Sequence, residues 1–103
     1  MTLKTYAVTA RFGRWIASWP LGRLGIGGDE LAVWIWPQRP ARRRTAGKES
    51  VELVRLRTRY LRTFMEIEDV ERVFRGVTIE IPHNVKGIIK RLTDCGYTVA
   101  DNR

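Results

Sequence analysis

Hydrophobic and polar residues alternate with a period of two along much of the chain, the spacing of a strand with one face buried. Between residues 6 and 12, Tyr6, Val8, Ala10 and Phe12 share one face and Thr9 and Arg11 the other. Leu21 to Ile26 and Leu31 to Trp36 flank Gly27, Gly28, Asp29 and Glu30. This predicts a hairpin whose glycines supply positive φ angles. Leu24 and Ile26 then pack with Leu31, Val33 and Ile35, and the same parity sends Trp34 and Trp36 to the opposite face. The cleanest alternation runs from Val54 to Tyr60, with Val54, Leu56, Thr58 and Tyr60 facing one way and Arg55, Arg57 and Arg59 the other. A helix through Leu53, Leu56, Tyr60, Phe64, Ile67 and Phe74 is the rival, but a strictly alternating run is hard to place on one helical stripe. Shorter strands are expected at 64–67, 70–74 and 77–81, with Gly76 as the break.

One segment changes period. Val85, Ile88, Ile89, Leu92 and Cys95 recur at helical spacing and form a single apolar stripe, while Lys86, Lys90 and Arg91 take the wet face. Pro82 closes the preceding strand, Asn84 or His83 is placed to cap the helix start, and Gly96 stands where a C-terminal cap belongs. Tyr97 and Val99 extend beyond the helix toward the core. Residues 37–48 carry two prolines and a run of arginines, so they read as a mobile, exposed basic loop between two strands.

At 103 residues, with 44% hydrophobic and 29% charged, the chain is predicted to be one domain spanning residues 1–103. The longest apolar run, Leu31 to Trp36, is too short for a membrane-spanning helix, and the first residues do not follow a signal-peptide pattern. A cytoplasmic protein is the expectation. One cysteine and one histidine exclude an internal disulfide and a Cys/His zinc site. The net charge of +8 is uneven: residues 37–64 hold nine basic and two acidic residues, a net of +7, and residues 65–81 hold two basic and five acidic, a net of −3. Fifteen of the nineteen basic residues are Arg, the side chain suited to bidentate contacts and stacking.

Catalytic constellations are missing. Ser18 and Ser50, the only serines, lie in no nucleophile elbow, and Gly25-Ile-Gly-Gly-Asp-Glu30 departs from a dinucleotide loop at its third glycine. Cys95 reads as a buried small hydrophobe, His83 as a cap or surface residue. Glu66, Glu68, Asp69 and Glu71 would offer paired carboxylates for metal-dependent or acid/base work, but they read first as a solvated face or as partners for the arginines. No cofactor, metal or enzymatic activity is expected.

Six to seven short strands followed by one amphipathic helix form a restricted pattern. Together with Trp19-Pro-Leu-Gly-Arg-Leu-Gly-Ile, Asp29-Glu-Leu-Ala-Val and Ile67-Glu-Asp-Val-Glu-Arg-Val-Phe-Arg-Gly-Val-Thr-Ile79, the pattern resembles bacterial pleckstrin-homology-like domains. The resemblance implies a mainly β, α+β fold: an antiparallel, partly open barrel with its C-terminal helix plugging one end. It implies no particular ligand, since such folds are reused.

The residues with the most to say about binding are Trp34, Trp36, Arg42, Arg43, Arg44, Arg55, Arg57 and Arg59. The leading expectation is a small non-enzymatic module that binds a protein or its own copy through the Trp34/Trp36 face or an exposed strand edge. A nucleic-acid binder is the alternative: Arg55, Arg57 and Arg59 stand about 6.6–7 Å apart along one strand face, close to phosphate spacing, and the tryptophans would be stacking platforms. An anionic-lipid surface is third. A structural reading competes with these, in which the three arginines pair across strands with Glu66, Glu68 and Glu71.

Overall fold

The computed structural model describes residues 3–36 and 43–103. They build one sheet of eight strands and one α-helix: β1 (Lys4–Phe12), β2 (Trp15–Ile26), β3 (Glu30–Ile35), β4 (Arg44–Gly47), β5 (Val51–Arg59), β6 (Arg62–Asp69), β7 (Val77–Ile81), α1 (Val85–Asp94) and β8 (Val99–Asn102). The order across the sheet is β4-β3-β2-β1-β7-β6-β5-β8. Two antiparallel meanders, β1 to β4 and β5 to β7, join where β1 pairs with β7, and β8 returns after the helix to lie parallel to β5. The sheet is open, with β4 and β8 as its edges.

The alternation dictates which face is dry. Val8, Ala10, Leu24, Leu31, Val33, Val54, Leu56, Met65 and Ile79 are all but inaccessible and form one cluster with Ile88 and Leu92 of α1. The helix stripe therefore does what its spacing predicts, with Ile89 partly buried beside it. The C-terminal end of α1 is fastened to the β2–β3 hairpin. Tyr97 Oη donates to the Gly27 carbonyl at 2.9 Å, and Arg91 Nε to the Ile26 carbonyl at 3.2 Å. Gly96, at φ +84°, lets the chain turn back so that the Tyr97 amide reaches the Leu92 carbonyl at 3.0 Å.

Several expectations need correcting. The described residues form eight strands, where six to seven are predicted. β8 lies beyond the helix, and β4 occupies part of the predicted loop, because Arg44 to Gly47 pairs with Glu30 to Val33; residues 37–42 of that loop lie outside the described residues. The expected strand at 70–74 is a turn. The buried carboxylate of Asp69 accepts hydrogen bonds from the Val73 and Phe74 amides, at 2.9 and 3.2 Å, and Arg72 adopts φ +57°. This places Phe74 in the core and leaves Val70 exposed. The β2–β3 turn forms without positive φ at Gly27 or Gly28. Asn84 occupies the start of α1 in a left-handed conformation, and its side chain makes no capping hydrogen bond.

Candidate functional site

The arginine stripe is built by the β5–β6 hairpin. Register sets Arg55 opposite Glu66 and Arg57 opposite Phe64 on the outer face. The ion pairs run diagonally: Arg55 Nη2 meets Glu68 Oε1 at 2.9 Å, and Arg57 Nη2 meets Glu66 Oε1 at 2.7 Å. Arg59 makes no ion pair with a described residue, and its guanidinium instead lies over the Tyr60 ring, 5.2 Å from the centroid. The side chains in both pairs remain roughly half exposed, so each pair contributes only about 0–1 kcal/mol. Glu71 does not join this network.

Trp34 of β3 and Trp36 just beyond it part company. Trp34 is only 8% exposed. Its indole lies over Gly25, where a Cβ would stand 2.9 Å from Cζ3, and Arg43 covers it with a guanidinium carbon 5.1 Å from the ring centroid. Trp36 is 57% exposed. Arg44 turns toward the other face and sits over the Phe12 ring at 6.0 Å. Arg42 lies outside the described residues. Strands β2, β1, β7 and β6 separate β3 from β5, so the structure does not bring Trp34 and Trp36 beside Arg55, Arg57 and Arg59.

What sequence reading missed is the apolar surface of β2. Trp15, Ile16, Trp19 and Leu21 are all exposed, and the Trp36 amide donates to the Leu21 carbonyl at 2.8 Å, extending the same region onto β3. Two causes combine: β3 pairs with β2 only from Gly22 to Ile26, which leaves Trp15 and Ile16 uncovered, and a bulge displaces residues 18–21. Ala17 pairs with Ala10 and Gly22 with Val8, so residues 18–21 face Thr9 alone. The surplus residues must leave the plane of the sheet. The Trp19 amide is held by Thr9 Oγ1 at 2.8 Å, and the indole meets His83 edge-on with centroids 5.4 Å apart. Gly22 is required where β2 rejoins β1: a Cβ there would stand 2.5 Å from the Val8 carbonyl oxygen. The signal available in the sequence was Trp15 next to Ile16, since adjacent strand residues cannot both face one core.

A separate cleft of about 260 Å³ is lined by Ile67, Glu68, Asp69, Arg72 and Arg75. Asp69 there is committed to the turn amides, so the expected acidic group is divided between ion pairs and a turn cap. Among the described residues no helix is long and apolar enough to cross a membrane. Comparison with protein-family models, with curated proteins and with solved structures finds no match for this chain.

Proposed function

We propose that this chain is a non-catalytic protein-binding module whose contact surface is the stretch of β2 that β3 leaves unpaired, with Trp15 and Ile16 on its two faces and Trp19, Leu21 and Trp36 beside them, together an apolar ridge along that edge. The observation that carries the reading is the exposure of three of the four tryptophans on one bulged strand and at the end of the strand next to it, at 56%, 49% and 57% for Trp15, Trp19 and Trp36. Large apolar side chains grouped at a surface mark interaction sites, and Trp and Arg dominate binding energy at interfaces. Arg11, Arg14 and Arg23 belong to the same β1–β2 region and would supply a charged rim. The partner is another protein or a second copy of the chain. The nucleic-acid reading draws less support, since Arg55 and Arg57 are engaged by glutamates and Trp34 is covered; a lipid surface would need the same residues. The pleckstrin-homology-like assignment rests on the strand meander followed by a helix, with β8 as an addition after it.

A photoreactive amino acid placed at position 36 in the full chain tests the reading inside cells. Covalent adducts with protein are the expected result. Adducts with nucleic acid, or none from position 36 or from a second probe at position 15, would overturn it.

A further inference from the structure

A second feature lies on the outer face, away from Trp36. Residues of four adjacent strands and the β5–β6 turn enclose a cleft of about 300 Å³: Arg11 of β1, Thr78 of β7, Phe64 of β6, Arg57 and Arg59 of β5, and Tyr60 of the turn. Three guanidinium groups line it and no carboxylate does. Arg57 is neutralised by Glu66, but neither Arg11 nor Arg59 has an ion pair with a described residue, so two cations face the cleft without a counter-charge. The neighbouring carboxylates are already paired: Glu66 with Arg57 at the cleft wall, at 2.7 Å, and Glu80 with Arg62 at 3.4 Å. Between the cations sits the half-buried ring of Phe64, with the Thr78 and Tyr60 hydroxyls as polar groups beside it.

The β5–β6 turn adds an independent observation. Tyr60 and Leu61 are its two central residues, at φ 52° and 62°, a conformation that favours Asn-Gly and strains bulky side chains. Both side chains protrude almost completely into solvent, so burial does not compensate for the strain. The turn holds the Tyr60 ring at the rim of the cleft, against Arg59.

We infer that this cleft binds a small aromatic phosphate, one flat ring carrying a phosphate group directly or through a sugar, such as phenyl phosphate or a free pyrimidine mononucleotide. The phosphate lies between Arg11 and Arg59, where guanidinium geometry suits bidentate contact, and the ring stacks on Phe64. The volume is at the small end of ligand pockets, enough for one aromatic phosphate of that size and not for a run of polymer. The inference is independent of the protein-binding reading, because only Arg11, the register partner of Ile16, borders both regions.

Amide NMR titration of the full chain tests it, using inorganic phosphate, phenyl phosphate, uridine 5′-monophosphate and a short oligothymidylate as probes. Phenyl phosphate and the mononucleotide should shift the amides of Arg59, Phe64 and Thr78 saturably, at least about tenfold more tightly than inorganic phosphate. Arg11→Gln and Arg59→Gln, both solvent-facing and safe for folding, should each weaken binding about tenfold, while Lys86→Gln removes an equal charge from the exposed face of α1, outside the cleft, and should change it little. Equal affinity for inorganic phosphate, equal loss in all three variants, or no saturable shift would overturn the inference. An oligothymidylate preferred over the mononucleotide would also overturn it, in favour of a strand-binding groove.

Discussion

Tyr6 and Tyr97 are buried phenols near the same end of the sheet, and they differ by one hydrogen bond. The Tyr97 hydroxyl donates to the Gly27 carbonyl, whereas the buried Tyr6 hydroxyl has no partner among the described residues. Replacing each by Phe should act in opposite directions. Tyr97→Phe leaves the Gly27 carbonyl short of a donor and should cost about 1–2 kcal/mol, while Tyr6→Phe removes a desolvated group and should be neutral or stabilising by up to about 1 kcal/mol. Urea denaturation of the two variants checks both signs. Burial pushes the Tyr97 phenol from 10.0 up to about 12. A folded state that holds this proton more tightly than the unfolded chain is fully stabilised below pH 10.0 and loses that contribution as pH rises toward about 12. Stability of the wild type should therefore fall over that interval, and Tyr97→Phe should flatten part of the fall. Tyr6, also raised by burial, contributes in the same direction and leaves a residual slope.

At the scale of elements, alternation was legible wherever a strand has one wet face and regular pairing. β1, β5 and β7 and the helix α1 follow it, and Leu24, Ile26, Leu31 and Val33 pack as the parity requires even though β3 is buried on both faces. It was illegible where pairing is irregular. The first half of β2 is hidden by the surplus of residues 18–21, and β4 by an arginine run that resembles a loop. Residues 70–74 hold Val70, Val73 and Phe74 and so read as a short strand, but the Asp69 side chain overrides them by satisfying two amides that a ladder would otherwise need. The same limit separated the candidate surface residues. Periodicity places Trp34 outside the core but cannot show that Gly25 leaves a slot for its ring beneath Arg43. Nor can it show that β3 and β5 lie far apart in the strand order. Two predictions belong here. Tyr60→Asn with Leu61→Gly should relieve the strained turn and raise stability by about 1–3 kcal/mol, read from thermal unfolding. Arg55→Gln with Arg57→Gln removes two half-exposed pairs and should lower stability by no more than about 2 kcal/mol, the loss shrinking in high salt. A larger, salt-insensitive loss would mean that the arginine stems pack the outer face.

For the whole molecule, the decisive quantity is the net charge of +8 on a body whose Cα radius of gyration is 12.2 Å. Two copies meeting through the β2 ridge bring like charges together, and only the apolar burial favours contact. Salt shortens the Debye length from about 30 Å at 0.01 M to about 3 Å at 1 M, so it removes the repulsion without weakening the burial of Trp15, Trp19 and Trp36. Self-association through the ridge should therefore strengthen as salt is added. Binding to a nucleic-acid strand has the opposite sign, because every phosphate neutralised releases a counterion and added salt opposes that release. Sedimentation equilibrium across this salt range, on the wild type and on Trp15→Ser with Trp36→Ser, separates the two. The expected result is a dimer whose dissociation constant falls with salt in the wild type, and a monomer throughout in the variant. Both substitutions are at exposed positions and should leave unfolding within about 0.5 kcal/mol of wild type, so a lost dimer is not a lost fold. A wild type that stays monomeric at every salt concentration would remove the second copy from the proposal and leave a different protein as the ridge's partner.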